Sequence, residues 1–144
     1  MKNESTFDFG DGYGPVPASR HVNSDGAVGG WVAATAWVSG YAWVYNDARV
    51  FGDAQVFGNA WVFDNAQVFG NAEVFDNAWV FDNAQVFGNA QVFGNARVFD
   101  NAQVFENAFV FGNSKVFGDA QMFGDTWVFK GNHTQSVHWK GSGN

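Results

Sequence analysis

Three tryptophans, Trp43, Trp61 and Trp79, stand 18 residues apart, and two cations, Arg97 and Lys115, continue the same spacing. Asp64, Asp82 and Asp100 repeat with that period too, preceded by Asn46. Residues of these types in one file would make a contact surface. Trp and Arg dominate protein–protein hot spots, and a guanidinium one step beyond Trp79 suits a cation–π contact. A flat indole strip beside carboxylates also has the chemistry of a sugar-binding surface, because apolar sugar faces stack on indole and carboxylates accept hydroxyl hydrogens. A plainer reading competes with both: indoles that stack on one another simply fill one side of a rigid rod. Carboxylates about 5 Å apart repel, so the Asp file should show raised pKa values or draw in a cation. Calcium takes oxygen ligands of this kind, but three carboxylates in a line do not surround an ion, and no metal or cofactor is expected.

Groups suited to catalysis are sparse. The chain has three histidines and no cysteine. His21 lies before the repeated part of the sequence, and His133 and His138 lie after it. A histidine base needs a cleft and an orienting partner, and no such arrangement is legible. His133 and His138 are close enough in sequence to share a metal, although a trailing segment accounts for them as well. There is no P-loop, nucleophile elbow or dinucleotide fingerprint. The recurrent Gly-Asp-Ala and Gly-Asn-Ala tripeptides read as corners, not as phosphate cradles.

The spacing implies the elements that position these residues. From Trp31 to Phe129 the chain repeats Ala-x-Val-Phe-Gly/Asp-Asn, with valine at 32, 38, 44 and every sixth residue onward, and Met122 once in its place. A six-residue apolar period drifts against 3.6 residues per turn, and the Gly-Asn and Asp-Asn pairs recur too often for a helix. In a strand, Ala and Val point to one side and x to the other. Because x is Gln, Trp, Arg, Glu or Lys, x faces solvent, and Gly-Asn turns the corner. The 18-residue period of Trp43–Trp61–Trp79 and of Gln67–Gln85–Gln103–Gln121 makes three repeats one coil. The expected fold is therefore all-β: a single-domain, three-sided parallel β-helix. Its 17 repeats make about 5.7 coils, roughly 27 Å long at ~4.8 Å per coil. Residues 1–30, which hold both prolines and no repeat, are expected to cover the first coil's open edge. Residues 31–129 are the helix, and 130–144 a cap or tail.

A small residue, an aliphatic one two places later and Asn at the corner resemble the hexapeptide-repeat left-handed β-helices across residues 31–129. The chain is more closely similar to the N-A-x-V-[FYS]-[GD] repeat proteins of bacteria and their prophages. Gly14-Pro15-Val16-Pro17 through Arg20-His21, then Gly29-Gly30-Trp31-Val32, look like the start of such proteins. Left-handedness is implied by this resemblance alone. One departure matters: hexapeptide acyltransferases usually carry a small residue after the aliphatic one, where this chain has Phe from Phe51 to Phe129. Those enzymes also use a histidine near a loop that breaks the repeats, and these repeats contain neither.

The fourteen Phe residues fall into three files, expected to stack ring on ring along the rod. Rings left partly exposed would be assembly surfaces. The Gln file and the corner asparagines should form amide ladders.

A net charge of −7 and a pI near 4.5 argue against binding nucleic-acid phosphates or anionic lipid. No stretch approaches a membrane span, and no signal-peptide pattern follows Met1, so a cytoplasmic protein or a particle component is the default. An ice-binding face would need a threonine file, and the four threonines form none. Mimicry of DNA agrees in charge sign, but only one corner is a carboxylate column. The expectation is a non-enzymatic scaffold. It would present Trp43, Trp61, Trp79, Arg97 and Lys115, rimmed by Asp64, Asp82 and Asp100, to a protein partner or to copies of itself. A carbohydrate-binding module and a degenerate acyltransferase stand as alternatives.

Overall fold

The computed structural model describes residues 5–139, so the first four residues and the end of the expected C-terminal segment (140–144) lie outside it. Three chain segments come before the regular coils: β1 (Ser5–Asp8), β2 (Pro15–Val22) and β3 (Val28–Ala33). Short rungs follow, most of them two residues long, one per repeat. They build three parallel sheets. Face one carries Trp31, Arg49, Gln67, Gln85, Gln103 and Gln121. Face two carries Trp37, Gln55, Glu73, Gln91, Phe109 and Trp127. Face three carries Trp43, Trp61, Trp79, Arg97 and Lys115. Every one of these steps is 18 residues, so three sides make a coil, and the rod has about six coils.

Each coil is tied to the next through its backbone. Trp61 N–H donates to Ala78 C=O at 3.0 Å, Phe63 N–H to Val80 C=O at 3.0 Å and Asn65 N–H to Asp82 C=O at 2.9 Å. Within a coil the corner closes when Ala66 N–H donates to Phe63 C=O. The corner works because the residue after Phe takes positive φ, near 60° at Asp64, Asp82 and Asp100 and 67° at Gly88 and Gly94. Gly, Asp and Asn tolerate that conformation best, which explains their places in the repeat.

Ala and Val fill the interior. From Ala42 to Met122 the inward residues are fully buried, and Ser114 and Thr126 replace Ala without opening the core. The Thr126 hydroxyl donates to Phe123 C=O at 2.7 Å and the Ser114 hydroxyl to Phe111 C=O at 2.9 Å, so both polar atoms are satisfied. Val points into this core, and the Phe that follows it lies outside the Ala–Val cluster.

The Phe files stack as expected from the coil spacing. Phe69–Phe87 and Phe63–Phe81 have ring centres 4.8 Å apart and planes within 3° of parallel. Parallel rings at that separation are slipped, in the offset arrangement aromatic pairs prefer. Most of these rings are half-buried, so one file both packs within the chain and offers ring edges outward.

The two ends are built differently. β2 pairs antiparallel with β1 and β3, so a hairpin adds to the first-coil edge of face one. Phe7 of β1 stacks on Trp31 at 4.7 Å and Phe9 on Phe51 at 4.7 Å, so the leader extends the Phe file by one ring. Gly29 and Gly30 allow the close approach this needs. A Cβ on Gly29 would lie 1.6 Å from Val44 O and one on Gly30 2.1 Å from Ala48 O. At the other end the hexapeptide pattern stops at Phe129 but the ladder does not. Asn132–His133 pairs with Lys115–Val116, and Val137–Trp139 pairs with Met122–Gly124.

Candidate functional site

Face three brings five of the residues singled out by spacing into one file. Trp43–Trp61 and Trp61–Trp79 have ring centres 5.4 Å apart, with planes 40° and 21° apart. The Arg97 guanidinium carbon lies 4.5 Å from the Trp79 ring centre. Lys115 occupies the next rung, and both cations are exposed. The strip is wider than the tryptophans alone. Tyr45 stacks on Trp43 at 5.4 Å, and Phe63 meets Trp61 and Trp79 edge-on at 6.2 and 6.0 Å. Phe81 meets Trp79 the same way at 6.3 Å. Indole and phenyl files thus interlock into one aromatic sheet.

The stacking fixes how the indoles can be used. Their faces point along the rod and are taken up by the ring, or the guanidinium, in the next coil. What faces outward is ring edge, and each of the three indoles is only partly exposed. A sugar ring needs an exposed aromatic face, so this arrangement suits edge-on protein contacts better.

Asp64, Asp82 and Asp100 stand at the adjoining corner, as the spacing requires, but their carboxylates have work within the fold. Asp64 accepts the Asp82 N–H at 3.3 Å, Asp82 accepts the Asp100 N–H at 3.2 Å and Asp100 accepts the Gly118 N–H at 3.0 Å. Asn46 starts the series by accepting the Asp64 N–H at 3.2 Å. Asp76 and Glu106 do the same at the other two corners. Burial pushes the Asp82 carboxyl above the ordinary range, and the like charges of Asp64 and Asp100 add to that, while the Asp100 N–H opposes it. These carboxylates line an acidic trench with Asp47, Asp119 and the corner asparagines. Among the described residues no three carboxylate or imidazole groups converge as ion ligands.

On the opposite flank a smaller groove of about 350 Å3 runs between Asn77, Asn95 and Asn113 and the Trp79–Arg97–Lys115 file. Asn95 Nδ2 donates to Asn113 Oδ1 at 3.3 Å, one step of the corner amide ladder. Gln85, Gln103 and Gln121 form the expected ladder on face one, with amide bonds of 3.4 and 3.2 Å.

The histidines are not brought together. His21 Nε2 lies 3.1 Å from Ala42 O at the first-coil edge of face three, and burial lowers its pKa. His133 is on the last rung of face three, whereas the backbone of His138 lies on face one.

Sequence reasoning passed over two groups. One is the aromatic cluster at the end of face two, where Trp127 stacks on Phe109 at 5.7 Å and meets Phe111 edge-on. Trp127 is 64% exposed and Phe129 54%, more open than the indoles of face three. The signal was present, since Phe109 and Trp127 are themselves 18 apart. The other is Asn23, a polar residue of the leader buried at 2% exposure. No periodicity could have pointed to it.

A family model described as the YdcK beta solenoid repeat matches residues 90–106, close to one coil of this rod. No curated protein and no solved structure matches the chain.

Proposed function

We propose that the chain is a non-enzymatic scaffold whose face three binds a protein partner or a second copy of itself. The observation that carries this reading is the continuous file Trp43–Trp61–Trp79–Arg97, held at 5.4 and 4.5 Å spacings by the coil ladder. Rigid aromatics ending in cations lose little side-chain freedom on contact, which is what a hot-spot row requires. Exposed rim charges on the same face, Lys115 above all, would steer the encounter more than they hold it. The separation of the histidines and the use of the corner carboxylates within the fold favour a binding role over a catalytic one.

The sugar reading is the weaker because the indole faces are already covered by their neighbours. The deciding experiment is light scattering over a concentration series on wild type and the Trp61→Ala/Trp79→Ala double variant. Self-association that disappears in the double variant supports the second copy as occupant. A monomeric wild type whose partner capture depends on the same two residues supports a foreign protein. Glycan-array binding abolished by the double variant, with no protein association, would replace this reading with the carbohydrate one. Acyl-CoA turnover abolished by His21→Ala would overturn it altogether.

A further inference from the structure

The first coil has three edges, and two of them are visibly covered. On face one, β2 lies against β3 as an added strand. On face three the cover is made of side chains. Asn23 Oδ1 accepts the Val44 N–H at 2.9 Å, Asn23 Nδ2 donates to Val44 C=O at 3.0 Å, and His21 Nε2 sits 3.1 Å from Ala42 O. The equivalent groups on face two are the Val38 N–H and C=O and the Ala36 C=O. Among the described residues these three have no hydrogen-bond partner. A row of unpaired strand groups is a template for another strand.

The space beside this edge is shaped to admit one. A groove of about 690 Å3 runs between β2 and the Trp37–Val38 rung, with Val32, Ala33, Ala36 and Val38 on its inner side. Val32, Ala36 and Val38 are only partly buried, unlike the repeat valines from Val44 to Val128. Trp37, which also lines it, is 53% exposed. Among the described residues, this is where the core opens to solvent at the N-terminal end of the rod.

A second copy cannot close it by coaxial stacking. β1 and β2 rise above face one at this end, and the Val137–Trp139 rung extends the same face at the other. Stacked rods would meet there first, holding the Trp127 and Trp37 edges of face two more than one coil step apart.

We infer that the Trp37–Val38 edge takes an extended, largely apolar segment of a partner polypeptide as an added parallel β-strand, a binding site separate from face three. The register follows from the ladder. In the next coil, Trp37 N–H donates to Ala54 C=O and Ser39 N–H to Val56 C=O. An incoming strand in the same phase donates to Ala36 C=O and Val38 C=O and accepts from Val38 N–H. Its alternate side chains enter the groove and lie beside Trp37.

The probe is a synthetic peptide with the repeat sequence Asn-Ala-Gln-Val-Phe-Gly, followed by amide NMR and hydrogen exchange on the full chain. The expected result is a saturable shift centred on the Val38 amide and at least tenfold slower exchange there. Val38→Pro removes the free N–H without breaking any bond within the coil, since proline is tolerated where an edge N–H faces outward. It should weaken peptide binding at least tenfold, with the Phe57 and Asn59 amides reporting that the coil below is intact. Trp37→Ala, which keeps the backbone donor, should weaken it several-fold. No saturable shift at Val38, equal binding by wild type and Val38→Pro, or shifts confined to the Trp127–Val128 rung would each overturn the inference.

Discussion

Asn23 satisfies both backbone groups of Val44 with one side-chain amide, at 2.9 and 3.0 Å, and so does the work of a missing strand. Asn23→Ala strips three side-chain hydrogen bonds from a buried site, one of them to Ala27 C=O, and leaves the Val44 N–H and C=O unpaired. Urea denaturation should register a loss of about 2 kcal/mol. The uncovered edge should also make the variant associate at concentrations where wild type does not, read by light scattering.

The corners predict an inverted order of substitution. Gly88 has φ +67°, and a Cβ there lies 2.7 Å from Glu106 N. Gly88→Ala should cost at least about 1–2 kcal/mol, from left-handed strain together with that close backbone contact. Gly88→Asp pays the same strain but gains an acceptor for the Glu106 N–H, as Asp82 has for Asp100. The larger, charged residue should therefore be the better tolerated of the two. Thermal melts of the two variants decide this; equal melting points would show that the side-chain bond contributes nothing.

Asp82 makes the rod's stability pH-dependent in a specified direction. Burial raises its pKa in the folded state above the ordinary value of 3.8. Between those two values the folded chain holds more proton than the unfolded one, so this group's contribution improves as pH falls through the window and worsens as pH rises out of it. Asp82→Asn keeps an acceptor for the Asp100 N–H, as Asn46 does for Asp64. The variant should melt higher than wild type at pH 7, and the gap should close as pH drops through the raised Asp82 value. A gap that widens on acidification would contradict the direction of the shift.

The core has no slack in its middle coils. Val86 is fully buried between Val68 and Val104 in the same file. Val86→Ala should cost about 2 kcal/mol, the lost transfer energy plus the residual cavity. Ala84→Leu should cost at least about 1–3 kcal/mol by overpacking, because the rigid coil cannot widen at one rung. Chemical denaturation of both variants measures the pair.

How much was legible follows from what repeats. The three-sided coil, the inward Ala and Val, the stacked Phe and Gln files and the alignment of Trp43, Trp61, Trp79, Arg97 and Lys115 all follow from a period of 18, because a parallel ladder carries residue i onto residue i + 18. The Asp file was placed correctly for the same reason. Its part in the fold was not legible, because whether a carboxylate faces a partner or bends back to a backbone N–H depends on the corner's φ and on the amide above it.

The repeating residue pattern specifies the rod: its coil length, its core and the residues that share a file. Those features are translational, and a strict repeat states them once per coil. The ends are set by three-dimensional packing. There the repeat stops, so Asn23 against Val44, Phe9 on Phe51 and the open Val38 edge arise from non-periodic chain folding back onto the first coil. That packing also sets which way the indoles face, since ring orientation comes from packing against neighbours and leaves no mark in residue spacing.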